Sequence, residues 1–391
     1  MDFLLHGHEM NLKGANRGFF STRLRANLER LLASTGSTVG MRGLGLLVSC
    51  PPEADGEVRQ RLEFALGVQS ITAGERVAPD PEAIAPVALA MIASQSGDSF
   101  ALNVVRPDKA FPLGSYEVAV HVGRYIEQKL GLAVDLRHPA RRCTIVLSRK
   151  GALVSRAAEP GLGGMPAGTA GRLLALISSG FDSPVAAFRL IRRGGRVMLI
   201  HFYGAPPQGQ TLSLAQVEQI ARQLTRYQLH TRLYLCPFEP VQRAIVAGCP
   251  SPYRILLYRR MMLRIAAAVA GQIHAHGLIT GDSLAQVASQ TVLNLEAVSA
   301  AVTVPVYRPV IGDDKVTIQA EARRIGTFDV SEQAGDDCCS AFMPRSPALA
   351  ASPAELAAAE QDLDLEALTA ASLATLETRR YRWDSGAVVA G

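Results

Sequence analysis

The chain has 391 residues, 48% hydrophobic and 19% charged, which is enough for two or three folded domains and too apolar for wholesale disorder. Its net charge of +5 is locally concentrated: residues 137–156 hold six bases and no acid, and residues 11–30 hold five bases and one acid. Such clusters suit a polyanionic partner, or a solvated arginine-rich surface. No apolar run reaches bilayer length, since Ile265 to Ile279 is broken by Gln272, His274 and His276, and no secretory leader is legible; a cytoplasmic protein without membrane contact is expected.

In chain order, Phe3-Leu4-Leu5 predicts a strand, residues 18–33 an amphipathic helix and residues 45–50 a second strand ended by Pro51-Pro52. Helix and strand follow at 58–66 and 68–71, helix at 82–96, strand at 99–106, helix at 114–130 and strand at 143–148. Val118, Val122 and Ile126 are spaced for one helical face. Residues 158–171 are rich in Gly, Pro and Ala and predict a linker. Beyond it apolar strands (172–178, 197–202, 231–235, 278–280) alternate with helices (184–193, 212–227, 241–246, 253–271), the pattern of a parallel sheet covered on both faces. The tail after Pro347 is Ala-rich and acidic and predicts helix with little chemistry.

Ser178-Ser179-Gly180-Phe181-Asp182-Ser183 joins an apolar strand to a helix. Small residues there let backbone N–H groups converge, and the helix aims its positive end at the same point, which makes a phosphate cradle. An ordinary serine-capped turn is the bland alternative. The loop lacks the Gly-Lys-Ser/Thr ending of a Walker-type loop. His201-Phe202 ends the second strand, at the edge where ligands sit in open α/β sheets. Arg259 and Arg260 are adjacent on a helix and cannot share a face, so one is expected at phosphate or RNA and the other in solvent. Residues 280–291 form a polar, small-residue stretch after a strand and read as a binding loop, and Lys315 follows a turn where it can meet a phosphate. Of the six cysteines, only Cys338 and Cys339 are close in sequence; adjacent cysteines are two small buried hydrophobes or a strained vicinal disulfide. Two thiols are too few for an iron–sulfur cluster, and no metal site is predicted from spacing.

Taken in this order, the segments resemble the tRNA 4-thiouridine synthetase (tRNA sulfurtransferase) family over nearly the whole chain. The matching motifs are Leu12-Lys13-Gly14-x-Asn16-Arg17-x-x-Phe20, Arg106-Pro107-Asp108-Lys109-x-Phe111-Pro112 with Ser115, Ser183-Pro184-Val185-Ala186, Gly281-x-Ser283-Leu284, residues 286–291, Arg323-x-Ile325-Gly326-Thr327, and Cys338-Cys339 with Phe342, Pro344 and Pro347. The SSGFDS loop resembles the SGGxDS loop of ATP-pyrophosphatases (PP-loop enzymes). The resemblance implies an α/β and α+β multidomain protein: a ferredoxin-like domain at 1–54, an RNA-binding THUMP domain at 55–158, a linker at 159–171 and a doubly wound PP-loop domain at 172–391. It implies that ATP and Mg²⁺ serve to adenylate uridine 8 of tRNA, after which persulfide sulfur from a cysteine desulfurase replaces the 4-oxygen. Two other readings stay open: a tRNA-binding protein with a degenerate loop, and a PP-loop enzyme making a different tRNA thiolation.

Carried over position by position, the resemblance implies catalytic roles for Asp182, Lys315, Cys339 and Cys338. It implies ATP contacts from Leu176, Ile177, Ser178, Ser179, Gly180, Ser183, His201, Phe202, Arg259, Gly281 and Gln290. Lys13, Arg17, Arg106, Lys109, Arg141 and Arg142 are expected at tRNA, and a homodimer is implied. The chain departs from the family in Ser179 and Ala285, where glycine is usual, and in carrying no rhodanese domain. If residue 179 needs positive φ, serine there costs on the order of 1 kcal/mol.

Overall fold

The computed structural model describes residues 1–7, 9, 12–42, 45–106, 114–148, 151–204, 210–333, 344 and 346–391. Lys109, Cys338 and Cys339, three of the expected functional residues, lie outside them. Two compact units divide the chain, residues 1–164 and 165–391.

In the first unit, the described strands are β1 (Asp2–His6), β2 (Thr38–Arg42), β3 (Gly45–Ser49), β4 (Val68–Val77), β5 (Ser99–Val105), β6 (Ala133–Val134), β7 (Arg141–Ser148), β8 (Gly151–Ser155) and β9 (Glu159–Gly163). They form one sheet in the order β2-β3-β1-β4-β8-β7-β5-β6, with β9 added on β4. Helices α1 (Arg17–Leu31), α2 (Asp55–Leu62), α3 (Pro81–Ala93) and α4 (Ser115–Leu130) cover it. Val118, Val122 and Ile126 of α4 are fully buried and pack with Ile84 and Ile92 of α3 on Phe100, Cys143 and Ile145, as the spacing predicts. Strands from either side of residue 54 belong to this one sheet, because β1 pairs antiparallel with both β3 and β4.

The predicted linker is corrected at its start: residues 159–163 are strand β9. Its glycine content reflects close backbone approach, since a Cβ on Gly161 would lie 2.3 Å from the Val68 carbonyl oxygen.

The second unit carries β10 (Arg172–Leu176), β11 (Arg196–Tyr203), β12 (His230–Pro237), β13 (Leu278–Ile279), β14 (Val306–Tyr307), β15 (Glu377–Asp384) and β16 (Ala387–Ala390), in the order β14-β13-β10-β11-β12-β15-β16. The five strands from β14 to β12 are parallel, and the order runs outward in both directions from β10. This doubly wound arrangement places a switch point between β10 and β13, and ligands sit beyond the carboxyl ends of the strands at such a point.

The layers over this sheet are α5 (Asp182–Arg192), α6 (Gln210–Gln228), α7 (Glu239–Gly248), α8 (Arg254–Gln272), α9 (Val292–Ser299), α10 (Lys315–Arg324), α11 (Phe328–Glu332), α12 (Pro353–Ala359) and α13 (Leu365–Ala374). Helix α8 forms the centre of one layer, with Leu257, Met261 and Ile265 fully buried against Ile200 and Leu278.

Two expectations change here. Arg260 is not solvated: it is 4% exposed and pairs with Glu360 (2.7 Å), which also pairs with Arg264 (2.5 Å). Charges this deeply buried persist only when paired, and this triad fastens the C-terminal region to α8. The tail is also more than helix, because β15 and β16 form an antiparallel hairpin on the outer edge of the parallel sheet.

Candidate functional site

Strand β10 delivers the chain to Ile177 and Ser178, and α5 begins at Asp182. The turn between them is fastened by one hydroxyl: the Ser178 N–H donates to Ser183 Oγ at 2.9 Å, and the two serine Oγ atoms lie 3.1 Å apart. No side chain caps the N-terminus of α5. Its first-turn amides and positive end therefore remain available to an anion. Phe181 stacks on Phe328 at 5.1 Å, and the Arg323 guanidinium covers the other ring at 3.7 Å, which ties the loop to α10 and α11.

Ser179 carries none of the strain expected of it. Among non-glycine described residues, left-handed backbone occurs at Ser34, Leu229, His274, Ala285 and Ser385 only. The strained departure is Ala285, with φ of +62°, in the loop that closes the other side of the site.

That loop follows β13. Gly281 packs directly on the start of α5, where an added Cβ would lie 2.5 Å from the Ser183 nitrogen and 2.8 Å from the Asp182 carbonyl carbon. Only glycine permits this approach. Asp282, 4% exposed, accepts from Thr280 Oγ1 at 2.7 Å, Arg308 Nε at 3.0 Å and Gln290 Nε2 at 3.5 Å, and forms an ion pair with Arg259. Burial would raise its pKa, but Arg259, Thr280 and Arg308 outweigh burial and hold the carboxyl below its usual range. Arg259 also donates to Ser289 Oγ at 3.1 Å. On the far side, Arg189 of α5 braces the turn before Lys315 through Asp313 (2.5 Å) and the Pro309 carbonyl (2.8 Å), and α10 itself through Glu321 (2.8 Å).

A cavity of about 480 Å³ opens between these elements, the size of a small-molecule site. Leu176, Ile177, Ser178, Asp182, Ser183, His201, Phe202, Arg259, Gly281 and Gln290 all line it. Ile255, Leu256, Met262 and Leu263 of α8 add an apolar wall. The sequence reading thus gathers ten of its residues here. Ser179 and Gly180 stand in the loop outside the lining, and Lys315, exposed at the start of α10, acts on Asp182 through its charge. The Asp182 carboxyl is pushed up by burial and by Asp282, against Lys315 and a hydrogen bond from Gln286.

His201 is buried, with Nδ1 2.8 Å from the Ile177 carbonyl oxygen and Nε2 3.4 Å from Ser213 Oγ. Its ring therefore ties the ends of β10 and β11 together. Phe202 packs edge-to-face on Phe238 at 5.4 Å.

Asp282 and Arg308 are the residues missed by sequence reading. Asp282 stands at the unassigned position of the Gly281-x-Ser283 motif; a carboxylate between small polar residues, with arginines elsewhere to neutralise it, was the available signal.

The described residues expected at tRNA are distributed over several elements of the first unit. Lys13 is exposed, its ammonium 5.7 Å from the Phe20 ring centre, and Arg17 begins α1. Arg106 follows the carboxyl end of β5, whereas Arg141 pairs with Phe100 near its start. The Arg141 guanidinium is committed to the Ile92 carbonyl in the last turn of α3 (3.2 Å) and to the Gly97 carbonyl beyond it (2.9 and 2.5 Å). Arg142 is exposed. Among the described cysteines, burial pushes the Cys143 and Cys236 thiols up to about 12 and raises those of Cys50 and Cys249, so these four are poor thiolates.

Comparison with known proteins adds the following. The sequence model of the family described as Thiamine biosynthesis protein (ThiI) matches residues 168–365, and that of the THUMP domain matches residues 80–156. A protein from Thermus thermophilus named "Probable tRNA sulfurtransferase" is 42% identical over 377 residues, covering 96% of this chain and 93% of the relative. One of the same name from Moorella thermoacetica is 37% identical over 371 residues, covering 94% and 95%. A crystal structure of a 4-thiouridine synthetase–RNA complex with bound ATP superposes with a TM-score of 0.89 at 29% identity, covering 97% of this chain and 99% of that one.

Proposed function

The chain belongs to the ThiI family, and from that premise we propose that it is an ATP-dependent tRNA sulfurtransferase that converts uridine 8 of tRNA to 4-thiouridine. The observation that carries this reading is the cavity itself, where the SSGFDS loop, the open N-terminus of α5 and the Asp282-held Arg259 face one space next to an apolar wall. Such a site offers anion binding at one end and room for a flat base at the other.

A uracil 4-oxygen is a poor leaving group, and transfer of AMP makes it a good one. The 4-oxygen attacks the α-phosphorus and pyrophosphate leaves; persulfide sulfur then attacks C4 and AMP leaves. The backbone amides from Ser179 to Ser183 receive phosphate, with Ser179 and Gly180 in the turn. Leu176, Ile177, His201 and Phe202 form the nucleoside wall, with Gly281, Arg259 and Gln290 opposite. Lys315 stabilises charge developing at the α-phosphate. Asp182 would hold a Mg²⁺ ion. This fits the donor set, since Asp282 is spent on two arginines and Asp182 is the one lining carboxylate without an arginine, and Mg²⁺ is held by one or two carboxylates plus phosphate oxygens. Bound there, the ion would neutralise the departing pyrophosphate.

Cys339 takes the sulfur from a cysteine desulfurase as a persulfide; once its outer sulfur is bonded to C4, the Cys338 thiolate attacks the Cys339 sulfur, the S–S bond breaks to release the 4-thiouridine, and an external thiol reductant reopens the resulting disulfide. Lys13, Arg17, Arg106, Lys109 and Arg142 contact tRNA, the chain works as a homodimer, and it acts in the cytoplasm; no described helix is long and apolar enough to cross a membrane. The decayed-loop alternative loses its support from strain at Ser179, whose backbone is not left-handed.

The test is genetic. tRNA from a deletion strain should lack the near-ultraviolet absorbance of 4-thiouridine, regain it with the wild-type chain and not with Asp182→Ala. Restoration by Asp182→Ala would refute the role given to that residue, and a deletion strain with normal 4-thiouridine would refute the function.

A further inference from the structure

At the edge of the second unit's sheet opposite the cavity, one face carries a row of basic side chains. Arg172 opens β10 in register with Arg196, which opens β11. Ile200 of β11 is level with Tyr234 of β12, which sets Arg196 level with His230, the first residue of β12. His230 lies directly opposite Arg382 of β15, and Arg232 opposite Arg380. Registered residues share a face, and alternation puts all six on the same one. Three interstrand steps make the row roughly 14 Å long. Arg172, Arg196 and Arg380 are exposed, and the Arg382 side chain is 58% exposed.

The segments building this edge (165–173, 191–200, 229–234, 271–278 and 378–383) contain no Asp or Glu. Asp384 lies 3.2 Å from Arg382 in an exposed pair, which contributes little. Helix C-termini attract cations and account for Arg172, which donates to the Ile273 carbonyl at the end of α8 at 3.1 Å. They do not account for Arg232, Arg380 and Arg382, which lie within strands. Like charges directly opposite in an antiparallel pair destabilise it, so Arg232 against Arg380 is a cost that packing does not explain.

The geometry points to a second RNA-contact face: this row grips the phosphate backbone of tRNA on the edge away from the reacting base. The guanidiniums are spread along a line, which suits a linear polyanion better than a single phosphate. At one charge per about 3.4 Å of strand axis, the row matches roughly four phosphates. Strand β11 is eight residues long, about 26 Å, so the contact is well separated from the cavity and bears on affinity and not on the chemical step. The inference rests on the reading of tRNA as substrate.

It is tested with the full chain and unmodified full-length tRNA by fluorescence anisotropy across a salt series. The triple variant Arg232→Gln, Arg380→Gln, Arg382→Gln should bind at least tenfold more weakly at low salt. Its slope of log K against log salt should be shallower by about 2, since each phosphate contact contributes about 0.7–0.9. The corresponding triple lysine variant should stay within about threefold of wild type, because it keeps the charges. Stabilisation of the protein by ATP should be unchanged in both. Wild-type affinity and slope in the glutamine variant would overturn the inference, as would a lysine variant that fails equally, which would assign the arginines to packing. Unchanged tRNA binding with lost binding to a cysteine desulfurase would assign the row to an acidic protein surface and overturn it too. Failure of the wild-type chain to bind tRNA would instead overturn the substrate reading beneath it.

Discussion

Replacing Asp282 with Asn separates the account from a merely descriptive one. The carboxylate is 4% exposed and neutralises Arg259 and Arg308, whose side chains are 16% and 17% exposed. Removing one member of a buried ion pair costs about 3–5 kcal/mol because the partner stays buried and uncompensated. The partial exposure of both arginines puts the cost near the lower end, about 3 kcal/mol. At about 2–4 °C per kcal/mol for a domain of this size, the second unit should melt roughly 6–12 °C lower, read by calorimetry. The effect has a pH signature. The folded pKa of Asp282 is depressed, so its contribution to stability is present above the unfolded value and is lost as pH falls through the folded one. The gap between wild type and Asp282→Asn should therefore be full near neutrality and shrink in acid below the ordinary aspartate range. ATP should also stabilise the variant less, because Arg259 loses the carboxylate charge that holds it in place. Unchanged melting together with unchanged stabilisation by ATP would refute the reasoning.

Gly281→Ala forces a Cβ to 2.5 Å from the Ser183 nitrogen; it should cost about 1–3 kcal/mol and reduce AMP formation from ATP at least tenfold, and near-normal turnover would contradict the packing described. Asp182 has a raised folded pKa, so its ionised form detracts from stability as pH rises through that value. Asp182→Asn should accordingly melt at or above wild type at neutral pH while losing activity. In the metal-free protein Lys315→Gln removes the charge that opposes burial of Asp182, so Asp182→Asn should raise the melting temperature more in that background than in wild type; an equal or smaller rise would exclude their coupling. Arg141→Ala removes hydrogen bonds to the Gly97 and Ile92 carbonyls and should cost stability by about 1–3 kcal/mol, read by urea denaturation, without changing the salt slope of tRNA binding; a shallower slope would show that Arg141 reaches phosphate.

Local pattern carried much of this in advance. An apolar strand, a run of small residues and a helix start are contiguous, so the SSGFDS cradle was readable from residues 172–193, and the alternation after it announced a parallel sheet. What depended on distant partners was not readable. Arg260 meets Glu360 one hundred residues away, so its adjacency to Arg259 could show divergence but not burial. The role of Asp282 exists only once α8 and the turn at Arg308 converge on it. The C-terminal hairpin had a signal that composition masked: Arg380, Tyr381, Arg382 and Trp383 alternate, both aromatics are buried, and Ser385-Gly386 turns with φ of 48° and 96°. Ser179 shows the opposite error, an inferred strain that the backbone does not have, while Ala285 carries it.

The central claim is that this cavity couples ATP cleavage to thiolation of one tRNA base. The direct measurement combines the purified chain, unmodified tRNA, Mg²⁺ and ATP with a cysteine desulfurase and cysteine, and quantifies AMP together with the nucleosides of the digested tRNA by mass spectrometry. The account predicts 4-thiouridine at position 8 in step with AMP, and neither product with Asp182→Ala. AMP without 4-thiouridine, or a sulfur-containing base at another position, would contradict it.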